Sequence, residues 1–477
     1  MKFAIIVLFF TLFVSALPII GQVQLGRDKC REMALEYSHQ VKLSENQKEQ
    51  ALLGKKIARA GHLPNFNASG FYFYKPDALE YSLEGGPLPT YTPDEQGELQ
   101  PNIKKNPITD MPIMGPDGNP VFNMYAMMPD INLNLGLEGV TMAGISIEQP
   151  VYMGGKIRAA NKMAETGIDM AKLNTEVKTT EVIEETDAVF LKYITVKAKN
   201  KAARDYKTML DSLVSTINAS LEEGLATRND LLKAKVKRNE ALLMVQKAES
   251  GQKLARMNLC RVIGLPLETN ITVNESLSLE ESDDLKPGEK DNSPVQRPEF
   301  KILNKAIKLG QQEEKMKRSG MLPQVGLSAG YNYFGGLELN DQGTDEMSFS
   351  AMASVKIPIF NWFEQRNKVS KARLQTEAAQ MNLEETEKLI QLEIARARLN
   401  LQDAITRIEL TKISMEQAKE NLETSQEQYN NGMERLVDLL EAQAQWQESQ
   451  SDHIDAQANV KLMQTKYLKA TGQLLTD

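Results

Sequence analysis

Asp438 and Glu441 lie three residues apart, a spacing that puts two carboxylates on one face of a helix. In a symmetric oligomer their copies stack as two acidic rings, and rings of this kind select cations at a constriction. Asp230 holds the matching place 208 residues earlier. Its reading stays open between the same gate duty and simple capping, because an acid near a helix N-terminus interacts favourably with the helix dipole. Other chemistry finds no footing. His39, His62 and His453 are isolated and make no metal-ligand spacing. Gly154-Gly155-Lys156 lacks both the upstream glycine and the following Ser or Thr of a phosphate-cradling loop. No nucleophile elbow is read, no cofactor is called for, and an enzyme is not expected.

Both acids follow a glycine in the same frame. Gly224 opens "GLATRNDLLKA" and Gly432 opens "GMERLVDLLEA", which share Gly-x5-Asp-Leu-Leu-x-Ala. Glycine accepts the positive φ of a tight turn after a helix, so each motif reads as the turn between two helices. The 208-residue offset recurs at Pro150 ("PVYMGGKI") and Pro358 ("PIFNWFEQ"), and at Gly264 and Gly472. A register held over that distance is a duplication, with a period too long for a solenoid of small repeats. The chain therefore divides into a first repeat at 22–264, a connector at 265–298 rich in Pro, Ser and acids, and a second repeat at 299–477.

Each repeat reads as helix, β-hairpin, then a long helix pair. Residues 25–60 are helix-like up to the stop signals Gly61 and Pro64. Phe66, Ala68, Tyr72 and Tyr74 then alternate with polar residues, as do Val325, Leu327, Ala329, Tyr331 and Tyr333, and Phe349 to Ile359 on the returning strand. Small polar residues on one side and apolar ones on the other fit a strand between lipid and a wet lumen. The hairpins are placed at 64–150 and 322–358. The first carries a Pro- and Gly-rich loop at 76–129, expected to hold little regular structure and to sit at the hairpin tip outside the cell. Proline-free helical runs follow each hairpin, roughly 65 and 40 residues long, or about 100 Å and 60 Å. Leu383, Ile390, Ile394, Leu401, Ile405 and Ile408 mark the face on which such a helix packs sideways.

The balance of the composition agrees. Aromatics make up only 6% of the chain and charged residues 25%, as suits long solvated helices better than a thick core. A net charge of −8, with basic and acidic side chains interleaved, leaves no footprint for nucleic acid. Residues 1–21 have the charged head and short apolar run of a secretory signal peptide, so the chain is expected to be exported. Cys30 and Cys260 are read as two buried thiols or as one bridge. Four strands in lipid leave two open edges, so copies of the chain must close a barrel together.

With these features in this order, the chain resembles the TolC family of outer-membrane efflux proteins. The resemblance implies a mainly α fold with membrane β: a homotrimer with a 12-stranded β-barrel in the outer membrane of a Gram-negative-type bacterium and an α-helical barrel in the periplasm. It implies an equatorial band built from the connector and C-terminal segment. The implied activity is a passive export duct of a tripartite drug-efflux or type I secretion system, docked through a periplasmic adaptor to an inner-membrane pump of RND or ABC type. Residues at the positions of Asp438 and Glu441 line the closed entrance in that family, and the position of Tyr429 helps to lock it. The turns at Gly224, Leu225, Gly432 and Met433 become adaptor contacts, and Pro150, Gly154 and Pro358 mark the strand–helix junctions. The chain differs at Glu434, where the best-known member carries an arginine. The competing reading is a coiled-coil surface protein, such as an adhesin stalk, without channel activity.

Overall fold

The computed structural model describes residues 23–273, 277, 293–339 and 342–475. The expected signal peptide at 1–21 lies outside them, as does much of the expected connector. Strand β1 (Val23–Leu25) leads into α1 (Arg27–Tyr37) and α2 (His39–Ala60), which part at Ser38 where a single helix was expected. Next come β2 (Asn65–Leu83), four short strands β3 (Gly86–Pro89), β4 (Tyr91–Pro93), β5 (Leu99–Pro101) and β6 (Tyr125–Met128), and the long β7 (Ile131–Met153). Helices α3 (Lys156–Glu222) and α4 (Arg228–Ile263) end the first half, followed by β8 (Ile271–Val273). The second half runs α5 (Pro298–Arg318), β9 (Gln324–Leu339), β10 (Gln342–Lys356), α6 (Glu364–Asn430) and α7 (Leu436–Thr471).

The duplication is exact in the long helices. Both α3 and α6 have 67 residues, and both α4 and α7 have 36. No proline interrupts any of the four. Ion pairs such as Arg373–Glu377 and Lys368–Glu364, four residues apart, support the exposed face of α6. Its buried side holds Ile390, Ile394 and Leu401.

Two compact units emerge, one of strands and one of helices. The strand unit, within 59–157 and 319–362, is a four-stranded antiparallel sheet in the order β10-β9-β7-β2. Its register sets like beside like. Phe66, Ile147, Ala329 and Ala351 form one row across the strands, and Ala68, Ile145, Tyr331 and Phe349 the next. Between them lies the row Asn67, Ser146, Gly330 and Ser350. Successive residues of a strand point to opposite faces, so over these rows the sheet has one apolar and one small-polar side; further along, the row Phe71, Met142 and Phe334 sets large apolar side chains on that second face. Phe66, Ile145 and Phe349 are exposed. The outer edges of β2 and β10 pair with no strand among the described residues.

The loop expected to be irregular is partly a ladder. β2 continues to Leu83, and β3 pairs with β6 and β4 with β5. Residues 104, 113 and 121 close a ring of backbone hydrogen bonds: Ile113 N donates to Lys104 O, Val121 N to Ile113 O, and Lys104 N to Val121 O. Pro89, Pro93 and Pro101 end their strands, Pro87 lies within β3, and Pro76 lies where the register of β2 against β7 shifts, so a proline count alone understates the pairing.

At the first strand–helix junction Pro150 sits beside a register shift of β7 against β9, and Gly154 and Gly155 take φ values of +60° and +85°. A Cβ on Gly154 would stand 2.6 Å from the Ser319 carbonyl oxygen and 2.9 Å from Leu322 Cβ. At the second junction Pro358 follows β10, and the residues in the duplicated places are Trp362 and Phe363. They keep the left-handed backbone, φ +50° and +62°, without being glycine. Each such residue costs on the order of 1–3 kcal/mol.

In the helical unit the main core gathers Cys30 and Ala34 from α1, Phe190, Leu191 and Ile194 from α3, Leu259 and Cys260 from α4, and Ile271 of β8. Both cysteines are buried thiols, so the bridge considered from sequence is not formed. β1 pairs in parallel with β8, fixing the segment before α1 to residues beyond α4. Asp187 on α3, wholly buried, receives Arg31 Nε at 2.8 Å and Nη2 at 2.6 Å from α1. Thr465 of α7 donates to the same carboxylate at 2.7 Å. One buried charge thus ties three helices, with each oxygen satisfied as burial demands.

Candidate functional site at the helix turns

The two turns share two backbone hydrogen bonds in matching places. Leu225 N donates to Ser220 O at 2.7 Å and Gly224 N to Leu221 O at 3.1 Å. In the second turn Met433 N donates to Gln428 O at 2.9 Å and Gly432 N to Tyr429 O at 3.0 Å. Gly224 (φ +77°) and Gly432 (φ +70°) supply the left-handed step that ends each long helix. Leu225 and Met433, the next residues, project into solvent at 79% and 71% exposure.

The helix starts then diverge. Thr227 caps α4: its Oγ1 accepts from Asp230 N at 3.2 Å and donates to Asp230 Oδ2 at 2.6 Å. Asp230 thus lies in the first turn of α4, hydrogen-bonded to the cap residue Thr227. In the second turn Arg435 stands where Thr227 stood and gives no side-chain cap. It folds instead onto Asp438, with Nε to Oδ2 and Nη2 to Oδ1 both at 2.8 Å. This fork-to-fork pair holds the Asp438 carboxyl below the usual carboxylate range and raises the guanidinium. Glu434 accepts a 2.6 Å hydrogen bond from Ser425 of α6, so its charge is directed back along its own hairpin.

Glu441 is exposed and lines a cleft of about 760 Å³ between α4 and α7. Leu232, Val236, Val437 and Leu440 form its apolar lining, and Lys233 and Lys237 stand on it as well. Beneath lies an apolar cluster of Leu210, Leu213, Ile217, Leu231, Leu436 and Leu439, onto which Tyr429 packs half-buried. Burial raises the Tyr429 phenol, and the charge of Asp230 adds to the effect. Asp230 and Tyr429 thus come within electrostatic reach, while Asp438 and Glu441, expected as twin acids, have different surroundings. Arg435 was missed as the partner of Asp438 because an arginine three residues before an acid shows its pairing only once the cap geometry is known.

Two further features escaped the sequence reading. Arg297, nearly buried, donates to Glu299, to Glu393 of α6 and to Ala470 O of α7, tying the end of the connector to both helices. Burial opposes its charge, yet these carboxylates keep it raised. Gly326-Leu327-Ser328-Ala329-Gly330 spells the elbow pattern Gly-x-Ser-x-Gly. Ser328 lies within β9, opposite Met352 and Glu148, and no strand-to-helix turn exposes it as a nucleophile.

Residues 292–473, largely the second half, match the family described as outer membrane efflux protein. Protein CyaE of Bordetella pertussis is 22% identical over 344 residues, 71% of this chain and 73% of that protein. Outer membrane efflux protein BepC of Brucella suis is 21% identical over 70% of this chain and 72% of its own length. Among solved structures, the Campylobacter jejuni CmeC outer membrane channel superposes with a TM-score of 0.70 at 17% identity, covering 94% of this chain and 86% of that one.

Proposed function

We propose, on the premise that this chain belongs to the outer membrane efflux protein family, that copies of it close together into a passive export duct through the outer membrane. The observation that carries the reading is the sheet: apolar rows on one face, small polar rows on the other, and both edges open. An open edge in lipid costs several kcal/mol for each unpaired backbone group, and closure by further copies removes it. No described helix is long and apolar enough to cross a membrane; the strands, with their apolar rows, carry the spanning role in this reading. Three copies give a barrel of 12 strands, the number the family resemblance implies. The paired 67- and 36-residue helices then form the periplasmic tube, with the connector and C-terminal segment as its equatorial band.

The turns at Gly224, Leu225, Gly432 and Met433 suit contact with a periplasmic adaptor, because Leu225 and Met433 expose apolar tips on rigid glycine turns. An inner-membrane pump of RND or ABC type would deliver the cargo. The gate is acidic at Glu441, while Asp438 is paired by Arg435 and Tyr429 braces the turn against Asp230. Light scattering of the detergent-solubilised protein tests the assembly. Particles of three chains support it; a stable monomer overturns it.

A further inference from the structure

We propose that the strand-side ends of α2, α3, α5 and α6 form a basic collar that binds the anionic phosphodiester headgroups of phosphatidylglycerol in the periplasmic leaflet. The inference rests on the outer-membrane reading above and adds a contact to it. The four helix ends meet within the helical unit. Asn161 Nδ2 of α3 donates to Ala58 O of α2 at 2.9 Å, and Lys55 Nζ of α2 reaches Glu165 of α3 at 3.1 Å. Lys305 of α5 pairs with Asp169 of α3, and Gly310 of α5 lies so near α6 that a Cβ would stand 2.7 Å from Thr376 Oγ1.

Residues 51–58, 158–170, 309–318 and 364–378 hold eleven lysines and arginines against six acids, in a chain whose net charge is −8. All six acids are already taken. Glu165, Asp169, Glu313, Glu314, Glu364 and Glu377 each form an ion pair within the chain. Left over are Lys56, Arg158, Lys162, Lys315, Arg366 and Lys371, all exposed and none in an ion pair among the described residues. Helix physics accounts for only some of them. A cation near a helix C-terminus, as Lys56 and Lys315 are, is favoured by the dipole, whereas Arg158 and Arg366 stand in the first turns of α3 and α6, where the dipole opposes them. Each of the four helix ends lies within eight residues of a strand of the four-stranded sheet. In the duct proposed above that sheet spans the bilayer, so the anions these cations meet first are lipid phosphates of the near leaflet. Clustered lysines and arginines beside a membrane attract anionic lipid over a Debye length.

Native mass spectrometry of the protein, taken from detergent micelles holding equal phosphatidylglycerol and phosphatidylethanolamine, counts the lipids retained. The wild type should keep the anionic lipid at least about ten-fold over the zwitterionic one, and less so as salt rises from about 0.05 M to about 0.5 M. Arg158→Gln, Lys162→Gln, Arg366→Gln and Lys371→Gln combined should cut that preference at least about five-fold, the factor that one cation beside an anionic surface confers. If the combined variant misfolds, the pairs Arg158→Gln with Lys162→Gln and Arg366→Gln with Lys371→Gln replace it, each losing part of the preference. A control with Lys235→Gln, Lys253→Gln, Lys388→Gln and Lys412→Gln removes the same charge elsewhere on the helices and should leave the preference intact. A collar variant that keeps its preference, or a control that loses as much, overturns the collar, and so does a collar variant that shifts the reversal potential with lipid retention unchanged. Flotation with vesicles of the same two lipids separates the two readings: protein that floats in those cases leaves the duct standing. Wild-type protein that does not float overturns the outer-membrane reading, and the collar with it.

Discussion

Arg435 makes one of the two acids at the second turn half of an ion pair, and selectivity should divide accordingly. Glu441→Gln is expected to lower cation preference, read as a reversal potential across a salt gradient, several-fold more than Asp438→Asn. Arg435→Gln frees Asp438 and should raise that preference; equal effects of the two acid variants would contradict the assignment. The pair also sets a pH window. Its folded carboxyl is depressed, so the pairing is complete above the ordinary aspartate range near pH 4 and is lost only as pH falls below it. Glycine at the first junction gives a second outcome. Gly154→Ala meets both the left-handed angle and the Ser319 carbonyl and should cost about 2–4 kcal/mol in denaturation. Gly155→Ala, with open space around it, should cost about 1–2 kcal/mol. At this scale the sequence showed which residues stand at the turns, because glycine and aspartate there answer to backbone geometry. It did not show that Thr227 caps its helix while Arg435, in the duplicated place, pairs with Asp438 instead.

Among elements, the long helices were legible to within a few residues, since composition and proline-free length dictate them. Short partners were not. β1 and β8 have three residues each, too few for any period to register, and the break at Ser38 has neither proline nor glycine to announce it. The buried bond between α1 and α3 was hidden for another reason: Arg31 and Asp187 are 156 residues apart. Arg31→Ala leaves Asp187 buried with only part of its partners and should cost about 3 kcal/mol, measured as a shift of the denaturant midpoint. An unchanged midpoint would make the pair incidental. Between α6 and α7, His453 Nδ1 meets Thr411 Oγ1 at 3.3 Å, and burial lowers the imidazole below its ordinary value. Below about pH 6.5 the unfolded chain binds the proton more readily, so stability should decline as pH falls through the folded value. His453→Gln should flatten that decline, and an unaltered slope would assign it to other groups.

For the whole molecule, the alternating strands announced a two-faced sheet, and its register set each apolar row in line. In the proposed assembly closure answers the open edges, whereas the number of copies proposed rests on family likeness and not on strand physics. The extra pairing in the first hairpin was obscured by its prolines, yet it leaves the four-stranded sheet unchanged. The central claim is that several chains jointly enclose a conducting path. Current through planar lipid bilayers holding the purified protein tests this most directly. The account predicts a steady, salt-dependent conductance that favours cations and loses part of that preference with Glu441→Gln. Protein that inserts in folded, oligomeric form and carries no current would contradict it.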